Sequence, residues 1–310
     1  MGTLIVALKT VAPLFLVIAM GTVFSRSKVC TPAWIEVLNK YALYIGFPAL
    51  VIASLMTLET GENSFIQLII HTSVYNICCM LLAFPVAKLL KLKQSMLRTL
   101  FLILPFGNIA YLGIPVLQNA FGDAILPVAA IISAIYLFWL LTLGIILVEA
   151  YGEEQTSIKK LTLSLAKNPL LLSVFIGIAI VIFGIRLPQV VEQTITIFSN
   201  SVTAVVLFAL GIFLGKQEIG KLRDWYTVAL LVCTTMIFFP FLFYIYLKAV
   251  GMDGELTKAS IIDAAMPLGL TPYVLTVQYK LESKLAARIV VLGTILSVFI
   301  IPLWMVWMNN

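Results

Sequence analysis

Ten runs of about twenty mostly apolar residues, parted by short loops, leave this chain few ways to fold. They fall at 3–25, 35–57, 64–89, 95–120, 123–149, 168–186, 189–214, 225–250, 255–280 and 284–307. About 20 helical residues cross a hydrocarbon core. Lipid offers no partner for a backbone amide, so only helices and closed barrels span it. Hydrophobic residues make up 62% of the chain and charged residues 11%, against about 25% charged in a soluble domain. The expectation is an all-α polytopic membrane protein with ten transmembrane helices. Leu4 to Phe24 has no basic leader and reads as a true first span.

Charge sets the expected orientation. Of 20 basic residues, 16 lie in or beside the odd-numbered loops, leaving only Lys9, Arg186, Lys248 and Lys258 for the other side. The positive-inside rule then puts both termini on the non-cytoplasmic side of a plasma (inner) membrane. Basic residues scattered between apolar spans do not make a nucleic-acid surface, so the net charge of +6 implies no such partner. The loop from 151 to 167 divides the chain into a first five-helix repeat, 1–150, and a second, 168–310. Five is odd, so the two repeats are expected to be inverted. Within that loop, Lys159 to Lys167 reads as a basic flank or a short surface stretch.

The fourth and ninth spans are each broken near their midpoints by one pattern, Pro-x-Gly-x-x-x-Tyr. The first copy is Pro105-Phe-Gly107-Asn108-Ile-Ala-Tyr111, and the second is Pro267-Leu-Gly269-Leu270-Thr271-Pro272-Tyr273. Proline removes a backbone donor and clashes with the preceding turn, while glycine lets another backbone approach. Unwound backbone at membrane depth is tolerated only inside protein or beside a cavity. Paired interruptions in two halves mark the binding site of a secondary transporter. Two half-helix N-termini meeting there would offer free N–H groups and partial positive charge to an anion. No Lys or Arg lies deep in a span, so neutral donors must do the binding, Asn108 foremost. The candidate substrate-binding residues are Pro105, Gly107, Asn108, Tyr111, Gly269, Leu270, Thr271 and Tyr273. The expected helix breaks are Pro105, Gly107, Pro115, Pro267, Gly269 and Pro272.

These residues resemble a known family. Gly107-Asn108-Ile-Ala-Tyr-Leu-Gly113-Ile-Pro115 is similar to the fourth-span signature of the auxin efflux carrier family. Phe47-Pro48-Ala49-Leu50, Lys167-Asn168-Pro169 and Asp263-Ala-Ala-Met-Pro267-Leu-Gly-Leu-Thr-Pro272 resemble its other landmarks. The resemblance covers the whole chain and implies the fold shared with the bile acid/sodium symporter group. Spans four and nine would cross inside a transport core of spans 3–5 and 8–10. Spans 1, 2, 6 and 7 would form a scaffold that pairs as a homodimer. In the plant carriers an Asn-Pro-like pair lies beside the substrate carboxylate; Asn108 matches the Asn, but Ile109 follows it and the proline comes earlier, at Pro105. The chain has no counterpart of the larger plant carriers' long hydrophilic loop, so a compact bacterial-type permease is the nearer likeness.

Two ionisable residues lie well inside spans, His71 and Asp263. Such residues are costly in a membrane and serve as coupling candidates. Asp263, four residues before Pro267, reads either as a proton carrier or as a helix-bonded residue that fixes the crossover. His71 reads as a helix-packing residue or a coupling partner. Cys30, Cys78, Cys79 and Cys233 lack disulfide or zinc spacing, and one His with scattered carboxylates makes no metal site. Neither a metal nor a cofactor is expected. One deep Asp and one His also cannot furnish an intramembrane protease, so the chain does not read as an enzyme. The reading is a secondary carrier of a small organic anion working by alternating access, with a proton as the coupling ion. A sodium-coupled symporter and a non-transporting sensor on the same fold stand as alternatives.

Overall fold

The long apolar runs become helices because nothing else satisfies their backbone in lipid. The structure, a computed structural model, describes residues 2–56, 64–152, 163, 166–217 and 225–308. Among these residues regular structure is helical, apart from one isolated bridge. We label the helices α1 (Gly2–Phe24), α2 (Ala33–Met56), α3 (Phe65–Leu89), α4 (Gln94–Ile103), α5 (Ile109–Phe121), α6 (Asp123–Ala150), α7 (Pro169–Ile182), α8 (Gln189–Gly215), α9 (Trp225–Ala249), α10 (Glu255–Ala264), α11 (Leu270–Gln278) and α12 (Ser283–Trp307). Among the described residues seven are long and apolar enough to cross a bilayer: α1, α2, α3, α6, α8, α9 and α12. The protein is thus a multi-pass membrane protein. The others are shorter for stated reasons. Helix α7 has 14 described residues, and the pairs α4/α5 and α10/α11 are the halves of the two broken segments. Lys159 and Lys160 of the basic linker lie outside the described residues, as do Lys221 and Arg223.

Helices α1, α2, α7 and α8 pack on one another, and the Thr22 hydroxyl donates to the Gly211 carbonyl across α1 and α8 at 3.0 Å. Helix α3 packs on α6, α9 on α10 and α12, and α11 on α4 and α12. Val6, Thr10, Phe121, Lys258 and Met308 gather at one end of the molecule, here the termini end. At the opposite end, the loop end, the Ser95 hydroxyl donates to Glu282 (2.8 Å) and the Gln94 amide to the Tyr151 carbonyl (2.6 Å). Large apolar side chains such as Phe175, Ile182, Val190 and Ile197 stand exposed on the helix exteriors. Lipid rather than water suits so extensive an apolar surface.

Three prolines inside helices share one local mark, although Pro13 and Pro302 lie in regular α-helix and a fourth π-turn, Leu140–Gly144, precedes no proline. Wide π-turns occupy Ala42–Gly46, Ile109–Gly113 and Thr234–Phe238, and a proline follows each by two residues: Pro48, Pro115 and Pro240. A proline lacks the N–H for its ladder bond and crowds the carbonyl four residues back. A π-turn just before it absorbs the misfit without ending the helix. This corrects the expectation for two residues. Pro115 lies within continuous helix, and Pro272 sits in the first turn of α11, where its missing N–H costs little. The breaks themselves are confined to residues 104–108 and 265–269.

Candidate functional site

The two breaks touch. Gly107 and Leu268 form an antiparallel bridge: the backbone N–H of Asn108 donates to the Pro267 carbonyl (2.6 Å), and the backbone N–H of Gly269 donates to the Phe106 carbonyl (3.3 Å). Each unwound segment thus supplies the partner that the other lacks, which answers the cost of bare backbone in an apolar interior. The glycines are what let the chains come this close. A β-carbon on Gly107 would stand 3.0 Å from the Met266 carbonyl oxygen, and one on Gly269 would stand 2.9 Å from the Gly107 carbonyl oxygen.

Both second half-helices start at this crossing, with Asn108 in the N-cap position of α5 and Gly269 in that of α11. The Asn108 carbonyl accepts from Leu112 and Gly113. Its side chain makes no capping bond; the amide nitrogen is buried and has no acceptor. Asn108 borders a cavity of about 180 Å³. Gly107, Tyr111, Gly269, Leu270 and Thr271 line that cavity with it, whereas Pro105 and Tyr273 do not. Most of the remaining wall is apolar, chiefly Phe47, Phe106, Leu137 and Leu140. Sequence reasoning missed three polar lining residues, Ser133, Tyr136 and Asn168. The Ser133 and Tyr136 hydroxyls are buried and unpartnered, and the Asn168 side chain accepts from Leu170 and Leu171 to cap α7. A signal was present: Ser133 and Tyr136 are the only hydroxyl side chains in the run from Ala124 to Leu141.

The remaining candidates lie apart from this cavity. Asp263, near the end of α10, is 0% exposed, and neither carboxylate oxygen has a hydrogen-bond partner. It lies against Gly113, where a β-carbon would collide with it, and it is in electrostatic reach of Tyr136. His71 meets the Tyr246 hydroxyl at 2.7 Å through Nδ1 and packs edge-on to that ring. It makes no bond to Asp263. The two motif tyrosines take equivalent places: Tyr111 packs on Phe47 of α2 at 5.4 Å and Tyr273 on Phe213 of α8 at 5.1 Å, both at 65° between ring planes.

A second, wider cavity of about 910 Å³ lies toward the termini end. Its walls include Leu50, Ser54, Pro115, Gln118, Asn119 and Asp123, with Thr196, Ser199, Asn200 and Thr203 from α8. The Gln118 amide donates to Asp123 at 2.9 Å, and the Asn119 amide bonds the Thr10 carbonyl.

A bundle of membrane-crossing helices with two half-helix N-termini meeting beside a cavity is built as a transporter. Comparison with known proteins agrees. A profile described as "Membrane transport protein" matches residues 6–305, and the chain belongs to this family, that of the auxin efflux carriers. It is a family of membrane transporters rather than of enzymes. An uncharacterized transporter of Methanocaldococcus jannaschii is 24% identical over 276 residues, covering 87% of this chain and 88% of that protein. Two probable auxin efflux carriers of Oryza sativa subsp. japonica align over less. Component 3b is 29% identical over 37% of this chain and 20% of its own length; component 5a is 28% identical over 45% and 40%. The match to the plant proteins therefore spans less than half of their length.

Proposed function

We propose that this transporter carries a small organic anion, a carboxylate, by alternating access around the crossover. One observation carries the reading: the Asn108 side-chain NH2 is a buried donor with no acceptor, on a residue that borders a cavity. A buried unsatisfied donor is costly, and a carboxylate oxygen is the partner that would relieve it. The Ser133 and Tyr136 hydroxyls and the first turn of α11 add donors on the same wall, and no cation is needed there. The apolar remainder of the wall suits a ligand with one charged end.

In this reading the chain crosses the plasma membrane ten times as two inverted repeats, 1–150 and 168–310, joined by the linker 151–167. Both termini lie outside the cytoplasm. Helices α1, α2, α7 and α8 form a scaffold, through which two chains pair, and the crossing arms belong to the moving core. Asp263 couples transport to a proton: a carboxyl this deeply buried needs a proton or a cation to neutralise it. His71 serves as a packing residue in this reading, its Nδ1 held at the Tyr246 hydroxyl.

A sodium-coupled version of the same cycle is favoured by a separate observation. The Asn76 carbonyl oxygen and the Thr72 hydroxyl, on the helix packed against α10, are also buried and unpartnered. A metal ion engages several oxygens at once, whereas a proton engages one or two. Replacing sodium by choline in a flux assay separates the two: a proton-coupled carrier keeps its rate.

The test of the function is a thermal-shift screen of the purified protein against carboxylates, followed by flux of each hit in proteoliposomes. The expected result is a stabilising carboxylate that is also transported. Saturable binding without flux would make the protein a sensor, and stabilisation by cations or neutral solutes alone would remove the anion assignment.

A further inference from the structure

The two cavities lie along one seam. On α2, Phe47 borders the smaller cavity and Leu50 the wider one; on α5, Tyr111 borders the smaller and Pro115 the wider. Three or four residues of helix separate the two linings on each side, a rise of about 5 Å. The barrier between the cavities is therefore about one helical turn thick. Phe47 and Tyr111 meet across the seam at the smaller cavity's end of that turn, ring edge to ring face, with Phe47 2% exposed.

The cavities differ in what they offer a solute. The wider one presents hydroxyls and amides from α8 together with the exposed Asp123 carboxylate, and it opens near the termini end, where Asn119 meets Thr10. Such a wall suits a hydrated solute in passage. The smaller one holds the unsatisfied Asn108 donor and extends to Asn168 at the start of α7. We propose that Phe47 and Tyr111 are the gate between them. Solute then moves between the wider cavity and Asn108 when this ring pair parts, so that the two cavities are stages of one path along the seam between α2 and α5.

The other aromatic pair supplies the contrast. Phe213 and Tyr273 hold the second arm against α8 in the same edge-on geometry, yet neither ring borders either cavity. That contact joins an arm to its neighbour without separating two spaces. The motif tyrosine thus has one packing role in both copies, and in the first copy it also closes a path.

The gate is tested without any substrate, so its failure is distinct from failure of the anion reading on which its meaning rests. Cys30, Cys78, Cys79 and Cys233 are replaced by Ser, and Ala110→Cys places a reporter on the wall of the smaller cavity. A membrane-impermeant charged maleimide is then added to each face of the membrane in turn. Labelling follows the open population, which for a minor state is about 0.1–10%. Phe47→Ala should therefore raise labelling from the termini face by about tenfold or more, with the rate from the opposite face unchanged. Phe47→Tyr, which keeps the ring, and Phe213→Ala should both label as the parent does. Should Phe47→Ala fail to insert, Tyr111→Leu removes the same contact from the other side. No change from the termini face, an equal rise from both faces, or an equal rise with Phe213→Ala would overturn the gate.

Discussion

The two arms of the crossover carry one sequence pattern and are built for different tasks. The first arm enters its second half-helix through a π-turn, capped by an asparagine whose amide is left without a partner beside the cavity. The second arm enters through a regular turn capped by Gly269, which has no side chain to offer. Its distinctive polar residue, Asp263, comes before the break and borders neither cavity. The bridge between the breaks needs the same thing from both arms, a glycine with no β-carbon. What the arms share is therefore the architecture of the crossing. What differs is the chemistry: in the proposed cycle the first arm recognises the anion and the second arm couples its movement.

Substitutions in the two arms put this contrast to the test. The largest effect is expected where the arms are alike. Gly269→Val would drive its branched side chain into the Gly107 carbonyl, and the purified protein should lose its cooperative melting transition. Gly269→Ala should cost about 1–3 kcal/mol by overpacking, read as a fall in melting temperature. A wild-type melting curve for either would mean that the arms do not meet through their backbones. Asp263→Asn comes next and touches the second arm alone. Its flux should persist but no longer respond to an imposed pH gradient; a mutant still driven like wild type would remove Asp263 from coupling. The smallest effect belongs to Thr271→Ala, which deletes one neutral donor from the second arm. A neutral hydrogen bond is worth about 0.5–1.5 kcal/mol, so apparent affinity should weaken by about two- to tenfold. A larger loss would give the second arm a share in recognition.

Much of this was legible in the residues. Apolar run lengths disclosed a multi-pass helical protein, because lipid forbids most alternatives. Proline and glycine near the middle of two runs disclosed where the helices break, because each acts on its own backbone. The features that were not legible depend on contacts between distant segments. Nothing local tells Gly107 that its partner is Leu268, or Tyr111 that its ring will lie on Phe47 where both border the cavity. Pro115 and Pro272 read as breaks because proline usually is one; a preceding π-turn rescued the first and a first-turn position the second. His71 and Asp263 both read as ionisable residues well inside spans, yet the His71 ring found Tyr246. Ser133 and Tyr136 were hidden by the apolar run around them, although two hydroxyls in such a run were themselves the clue.

The central claim is that the unsatisfied Asn108 amide binds the transported anion, and Asn108→Ala tests it most directly. A hydrogen bond to a charged group is worth about 1.5–3 kcal/mol. Removing it should lower affinity for the carboxylate found by screening by about 10- to 150-fold, and flux in proteoliposomes should fall to background. Insertion and melting should stay as in the wild type, since the amide bonds nothing in the protein. Near-normal binding and flux in Asn108→Ala would contradict the account.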